Sequence, residues 1–137
     1  MKLVTDTLTE NLRKLTVDGV VYGWRVTHRP RPAAPHKACV DQLMAFRQGT
    51  SRAPLRILFP AGPAGGPEYI QRHGVVEIRA SSITLNLHRP KTVAALIQRA
   101  LDLGWSTKPM LVEDGFSFVS ALPAAVREQL AESLSKG

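Results

Sequence analysis

Leu15-Thr16-Val17-Asp18-Gly19-Val20-Val21-Tyr22-Gly23-Trp24-Arg25-Val26-Thr27-His28-Arg29 is the stretch on which the fold turns. Asp18-Gly19 is the dipeptide preferred by a two-residue type I′ turn, which needs positive φ at both positions and sets Val17 opposite Val20. Period-two alternation then places Leu15, Val17, Val20, Tyr22, Trp24 and Val26 on one face and Thr16, Val21, Arg25 and Thr27 on the other. The spacing predicts a β-hairpin with its first face in the core.

Working outward, Val4, Leu8 and Leu12 stand four apart, as in a short amphipathic helix, although the threonines between them also permit an extended segment. Beyond the hairpin, Arg29-Pro30-Arg31-Pro32-Ala33-Ala34-Pro35 lacks amide donors at its prolines and predicts an exposed polyproline-like connection that ends the second strand. Residues 39–48 read as a helix, with Val40, Leu43, Met44 and Arg47 on one side, or as a strand, with Met44, Phe46 and Gln48 alternating against Leu43 and Ala45. The turn-rich run from Gly49 to Pro54 and the short buried strand expected at Leu55–Phe59 favour the strand. Pro60 to Gly74 reads as a long Gly/Pro loop, about 60–74, with Gly62, Pro63, Gly65, Gly66 and Pro67 excluding regular structure from its first half.

Strands are expected at Val75–Arg79 and Ile83–Leu87, on either side of Ala80-Ser81-Ser82. From Pro90 to Leu103 the residues Val93, Leu96, Ile97, Ala100 and Leu101 form one apolar stripe on a helix roughly 20 Å long. Pro90 suits its first turn, Gly104 suits the left-handed position after its last, and Trp105 is placed to fold back over its end. Asp114-Gly115 suggests a second hairpin within Met110–Val119, with Phe116 and Phe118 on one face. Leu122, Val126, Leu130 and Leu134 predict a C-terminal helix over about 123–135. The whole reads as one small α+β domain over residues 1–137: a mostly antiparallel sheet of about five or six strands, packed on one face by the Pro90 helix, plus the C-terminal helix.

Tyr22-x-Trp24-Arg25-Val26, together with Val93-x-x-Leu96-Ile97-x-x-Ala100-Leu101-x-x-Gly104-Trp105, resembles a group of small uncharacterised bacterial proteins. In that group a Tyr-x-Trp-Arg-Val strand precedes further strands, a helix ending in Gly-Trp, and a short strand like Gly115-Phe116-Ser117-Phe118. The resemblance rests on core aromatics and helix ends, so it implies a fold and no catalytic residue. The C-terminal helix and the Gly/Pro loop depart from that pattern.

The formal charge is +7, and the 137 residues include one cysteine, Cys39, which excludes an internal disulfide framework and reads as a small buried apolar side chain. With no apolar run after Lys2 and none long enough to span a membrane, a cytoplasmic protein is expected, with no membrane contact. Acids are missing from Gly19–Val40, Gln42–Pro67 and Ile78–Leu101, while Glu113, Asp114, Glu128 and Glu132 gather near the C-terminus. Such asymmetry suits an anionic partner.

Chemistry is harder to find. His28, His36, His73 and His88 show no metal-binding spacing, and His28 and His88 would make a two-ligand site even if their strands paired. Asp18 and Asp114 are explained by turns, Asp102, Glu128 and Glu132 by helix surfaces, and Glu77 by pairing with Arg25 or Arg79. The glycine loop is followed by Pro67-Glu68 where a phosphate-binding loop requires Gly-Lys-Ser/Thr. Ser81, Ser82 and Ser117 lack the context of an activated nucleophile. No catalytic residue, metal or cofactor is therefore expected.

His28-Arg29-Pro30 and His88-Arg89-Pro90 echo each other, either by chance and strand termination by proline or because a shared exit gathers Arg29, Arg31, Arg89 and Lys91 into one basic patch; with Arg25 these are the candidate partner-binding residues. The expected function is a non-enzymatic module that binds and masks an acidic partner protein, as toxin-neutralising immunity proteins do. The alternative is nucleic-acid binding through the same patch, which the assignment of Tyr22 and Trp24 to the core weakens.

Overall fold

Asp18 and Gly19 both take positive φ, 50° and 80°, so the expected turn forms and Val17 pairs with Val20. The computed structural model describes residues 12–30, 39–50, 52–60, 68–72, 75–78 and 83–135. The expectations for residues 4–11, for the connection 31–38 and for the loop's first half, 61–67, lie outside the described residues.

The strands are β1 Arg13–Val17, β2 Val20–Pro30, β3 Cys39–Arg47, β4 Leu55–Pro60, β5 Glu68–Arg72, β6 Val75–Ile78, β7 Ile83–Asn86 and β8 Met110–Val112. The helices are α1 Pro90–Asp102, α2 Gly115–Ser120 and α3 Ala124–Ser135. One sheet runs β1-β2-β3-β4-β8, antiparallel except where β8 lies parallel to β4; the other runs β5-β6-β7. The α+β class is as expected, but the strands divide between two sheets.

In the larger sheet Trp24 stands opposite Arg13 on one side and Ala45 on the other, and Ala45 opposite Leu55. That row belongs to the core face. Leu43, Ile57 and Phe59 join it from β3 and β4, and Val93, Leu96, Ile97 and Ala100 of α1 close over it. Val76 and Leu85 of the smaller sheet, Phe116 and Val119 of α2, and Leu130 of α3 belong to the same cluster. Arg13 joins the two sheets: its guanidinium lies 4.6 Å from the centre of the Trp24 ring and donates to the carbonyl of His88, just past β7.

The helix ends follow the sequence. Pro90 opens α1, Gly104 takes φ 104°, and the amide of Trp105 donates to Ala100 O at 2.9 Å. The Trp105 ring then packs 5.6 Å from Tyr22 and its indole N–H donates to Ala53 O at 2.9 Å, tying the helix end to the loop before β4.

Three expectations are corrected. The loop about 60–74 gives way to a strand at Glu68–Arg72, because its glycines and prolines end at Pro67 and β6 offers a partner. The second strand is not ended at Arg29: it continues through Pro30, opposite Cys39, where a proline at a strand end forfeits little. The hairpin at Asp114-Gly115 is replaced by α2. The Asp114 carboxylate accepts from the Ser117 amide at 3.2 Å and from the Ser117 hydroxyl at 2.7 Å, so Asp114 caps a helix. Phe116 meets Phe59 edge-on at 5.4 Å, and Phe118 and Val119 are buried as well.

Gly115 is required by this approach: a Cβ there would stand 2.6 Å from the Phe59 ring and 2.8 Å from Leu58 O. The second atom is backbone and cannot swing away. Gly115→Ala is expected to lower stability by about 1–3 kcal/mol, read as a shifted urea midpoint at unchanged slope.

Candidate functional site

The alternation that buries Trp24 sends Arg25 to the opposite, outer face of the large sheet. There Arg25 stands opposite Met44, Met44 opposite Arg56, and Arg56 opposite Leu111, a row that crosses four strands. Adjacent strands lie about 4.8 Å apart, so the backbones carrying the two arginines are separated by roughly 10 Å, with Met44 midway. Arg56 is exposed and Leu111 retains 55% of its surface, whereas Arg25 is half-buried and Met44 is buried, with 8% of its surface exposed. Lys14 is exposed on the same face of β1, while Gln42, Phe46 and Leu58 are half-buried neighbours.

Among the described residues, no acid occupies this face; its charged side chains are Lys14, Arg25 and Arg56. The Arg25 Nε and Thr27 Oγ1 atoms are buried with no hydrogen-bond partner among the described residues. Gly23, beside Lys14 and Phe46, leaves room for Leu12, whose side chain would lie 2.8 Å from a Cβ placed there. Cations set beside apolar side chains can hold carboxylates and cover apolar groups.

The one buried acid among the described residues of the large sheet is on the other face. Asp41 is fully buried opposite His28 and Phe59, and its carboxylate is paired with His28 Nδ1. A carboxylate in such a position requires a partner to offset its desolvation. The His28 side chain keeps 32% of its surface, so the imidazole lies between the carboxylate and solvent. Asp41 is absent from the sequence expectations, although its position two residues before Leu43 on the same alternating face was the available signal.

The expected basic patch is not gathered at one exit. His28 lies near the end of β2 in the large sheet, whereas His88 follows β7 in the small one, so the two belong to separate sheets. Arg25 projects from the outer face; Arg89 and Lys91 begin α1, which packs on the core face. Arg29 stands opposite Val40 in the ladder, its side chain outside the described residues, and Arg31 lies outside them altogether. The side chains of Cys39 and Glu77 are likewise outside the description. Among the described residues, no group of three or more His, Cys, Asp or Glu side chains is placed to hold a metal, and no helix is long and apolar enough to cross a membrane.

No protein-family model matches the chain, and neither the curated proteins nor the solved structures include a match.

The pairing of His28 with Asp41 makes their effects on stability non-additive. A double-mutant cycle of His28→Ala and Asp41→Asn, measured by urea unfolding, is expected to give a coupling of about 1–3 kcal/mol. Additive effects would mean that the two side chains act independently.

Proposed function

We propose that this chain is a non-enzymatic protein-interaction module that binds an acidic surface of a partner protein and masks it, in the manner of a toxin-neutralising immunity protein. The observation that carries the reading is the outer sheet face, where Lys14, Arg25 and Arg56 accompany half-buried Phe46 and exposed Leu111 and no acid lies among the described strand positions. Complementary charge across such a face accelerates encounter and rejects basic partners, while the apolar side chains supply area to bury. Arg25 comes from the patch first expected; Arg56 and Lys14 replace Arg89 and Lys91, which belong to the other side of the sheet.

Nucleic acid fits this surface less well. Its binders combine cations with aromatic platforms for the bases, and here Tyr22, Trp24 and Trp105 are in the core, leaving half-buried Phe46 as the outer-face ring among the described residues.

Co-expression with the product of the adjacent gene tests the reading. A stable complex is expected to co-purify, and Arg25→Glu combined with Arg56→Glu is expected to abolish it while leaving the circular dichroism spectrum unchanged. Failure of any complex to form, together with salt-dependent binding of labelled oligonucleotides near 50 mM salt, would replace this reading with the nucleic-acid one.

A further inference from the structure

The middle of the outer face is covered from within the chain. Met44 keeps 8% of its surface and Gly23 is buried, whereas Lys14, Arg56 and Leu111 around them are exposed. Leu12, which precedes β1, already enters this face, with its side chain seated over Gly23. We propose that residues 1–11, the segment leading to Leu12, lie as an extended strap across β2 and β3, with the Glu10 carboxylate accepting from Arg25 and the Leu8 side chain over Met44.

The register that sets Arg13 against Trp24 brings Leu12 level with Arg25, about 5 Å away on the neighbouring strand. Glu10 stands two residues upstream, at most about 7 Å along an extended chain, within side-chain reach of the guanidinium. Arg25 Nε is buried with no hydrogen-bond partner among the described residues, and a carboxylate is the acceptor it lacks. Leu8, about 13 Å from Leu12 when extended, reaches β3, whose backbone lies about 10 Å from that of β1. Period two decides the form of the strap: Leu8, Glu10 and Leu12 share one side of an extended chain, whereas a helix would turn Glu10 about 160° away from Leu12. Continuation of β1 along the edge of β2 would leave Met44, on β3, without cover. The connection 31–38 leaves at Pro30 and returns at Cys39, at the far end of both strands from Gly23.

The strap is a property of the chain alone and stands whether or not a partner binds. On the protein-binding reading it has a consequence: Lys14, Arg56 and Leu111 stay exposed at the rim, while a partner's carboxylates compete with Glu10 for Arg25. The strap then shields the centre of the face until a partner displaces it.

Two measurements on the full chain test it. Oxidation by dilute hydrogen peroxide, followed by mass spectrometry, reads the access of solvent to Met44, with half-buried Met110 on the core face as internal reference. Leu8→Asp is expected to speed Met44 oxidation at least about five-fold relative to Met110, and Thr7→Asp, on the other side of an extended strap, to leave it unchanged. In urea unfolding, Glu10→Arg is expected to lower the midpoint and Glu10→Arg combined with Arg25→Glu to restore it. Unchanged Met44 oxidation in Leu8→Asp would show that another segment covers the face, and equal acceleration by Leu8→Asp and Thr7→Asp would remove the extended register; either overturns the inference. Additive effects at Glu10 and Arg25 would overturn it as well. Neither measurement involves a partner, so failure here leaves the protein-binding reading to be decided by co-purification.

Discussion

The hairpin register governs both faces of the large sheet. Positive φ at Asp18 and Gly19 sets Val17 against Val20, and from there Trp24 falls opposite Arg13 and Ala45. Because side chains alternate with period two, a slip by one residue would turn Trp24 outward and Arg25 into the core. The hydrophobic core and the basic face are thus consequences of one constraint. Burial enforces the register strongly, since Trp24, Leu43, Ala45, Leu55 and Ile57 are all at most 1% exposed along the rows it defines. The arginines are delivered to the outer face by the same pattern that buries their neighbours.

Arg13 shows how the second sheet is attached to this frame. It occupies a core-face position at the edge strand, where a cation would be costly if sealed from water. Instead it remains exposed, lies over Trp24 and donates to the His88 carbonyl immediately before α1. Trp105 performs the corresponding task at the far end of α1, with its ring on Tyr22 and its indole on Ala53 O. The helix is thereby tied at both ends to the sheet it covers, and the tryptophans contribute buried area together with directional contacts.

What could be read from the sequence follows the range of the interactions involved. The Asp18-Gly19 turn, the β-strand choice at residues 39–48, and α1 with Pro90 and Gly104 rest on local chemistry, and each is present. Asp114-Gly115 misleads because an aspartate before glycine serves equally as a turn residue and a helix cap. The distinction depends on β8 pairing in parallel with β4 and on Phe116 meeting Phe59, both distant in sequence. The division into two sheets is also a matter of long-range pairing. For the candidate site, Arg25 was legible from alternation, but its alignment with Met44, Arg56 and Leu111 needs the register of three further strands. The echo of His28-Arg29-Pro30 in His88-Arg89-Pro90 suggested a shared patch because sequence similarity carries no information about which sheet each strand joins.

The placement of Asp41 bears on why the described strand positions of the outer face carry cations and no acid. An acid in the middle of β3 on that face would stand beside Arg25 or Arg56 and neutralise it internally. Register instead directs Asp41 to the core side, where it is fully buried and paired with His28. Among the described residues the large sheet therefore separates its charges by face: the carboxylate is held inside by a histidine, and Lys14, Arg25 and Arg56 stand on the other side. Cations with no acid beside them among the described strand positions contribute little to the stability of the isolated chain. On the proposed reading their energetic use would come when another molecule supplies the carboxylates, with exposed Leu111 beside Arg56 limiting the access of water to the contact.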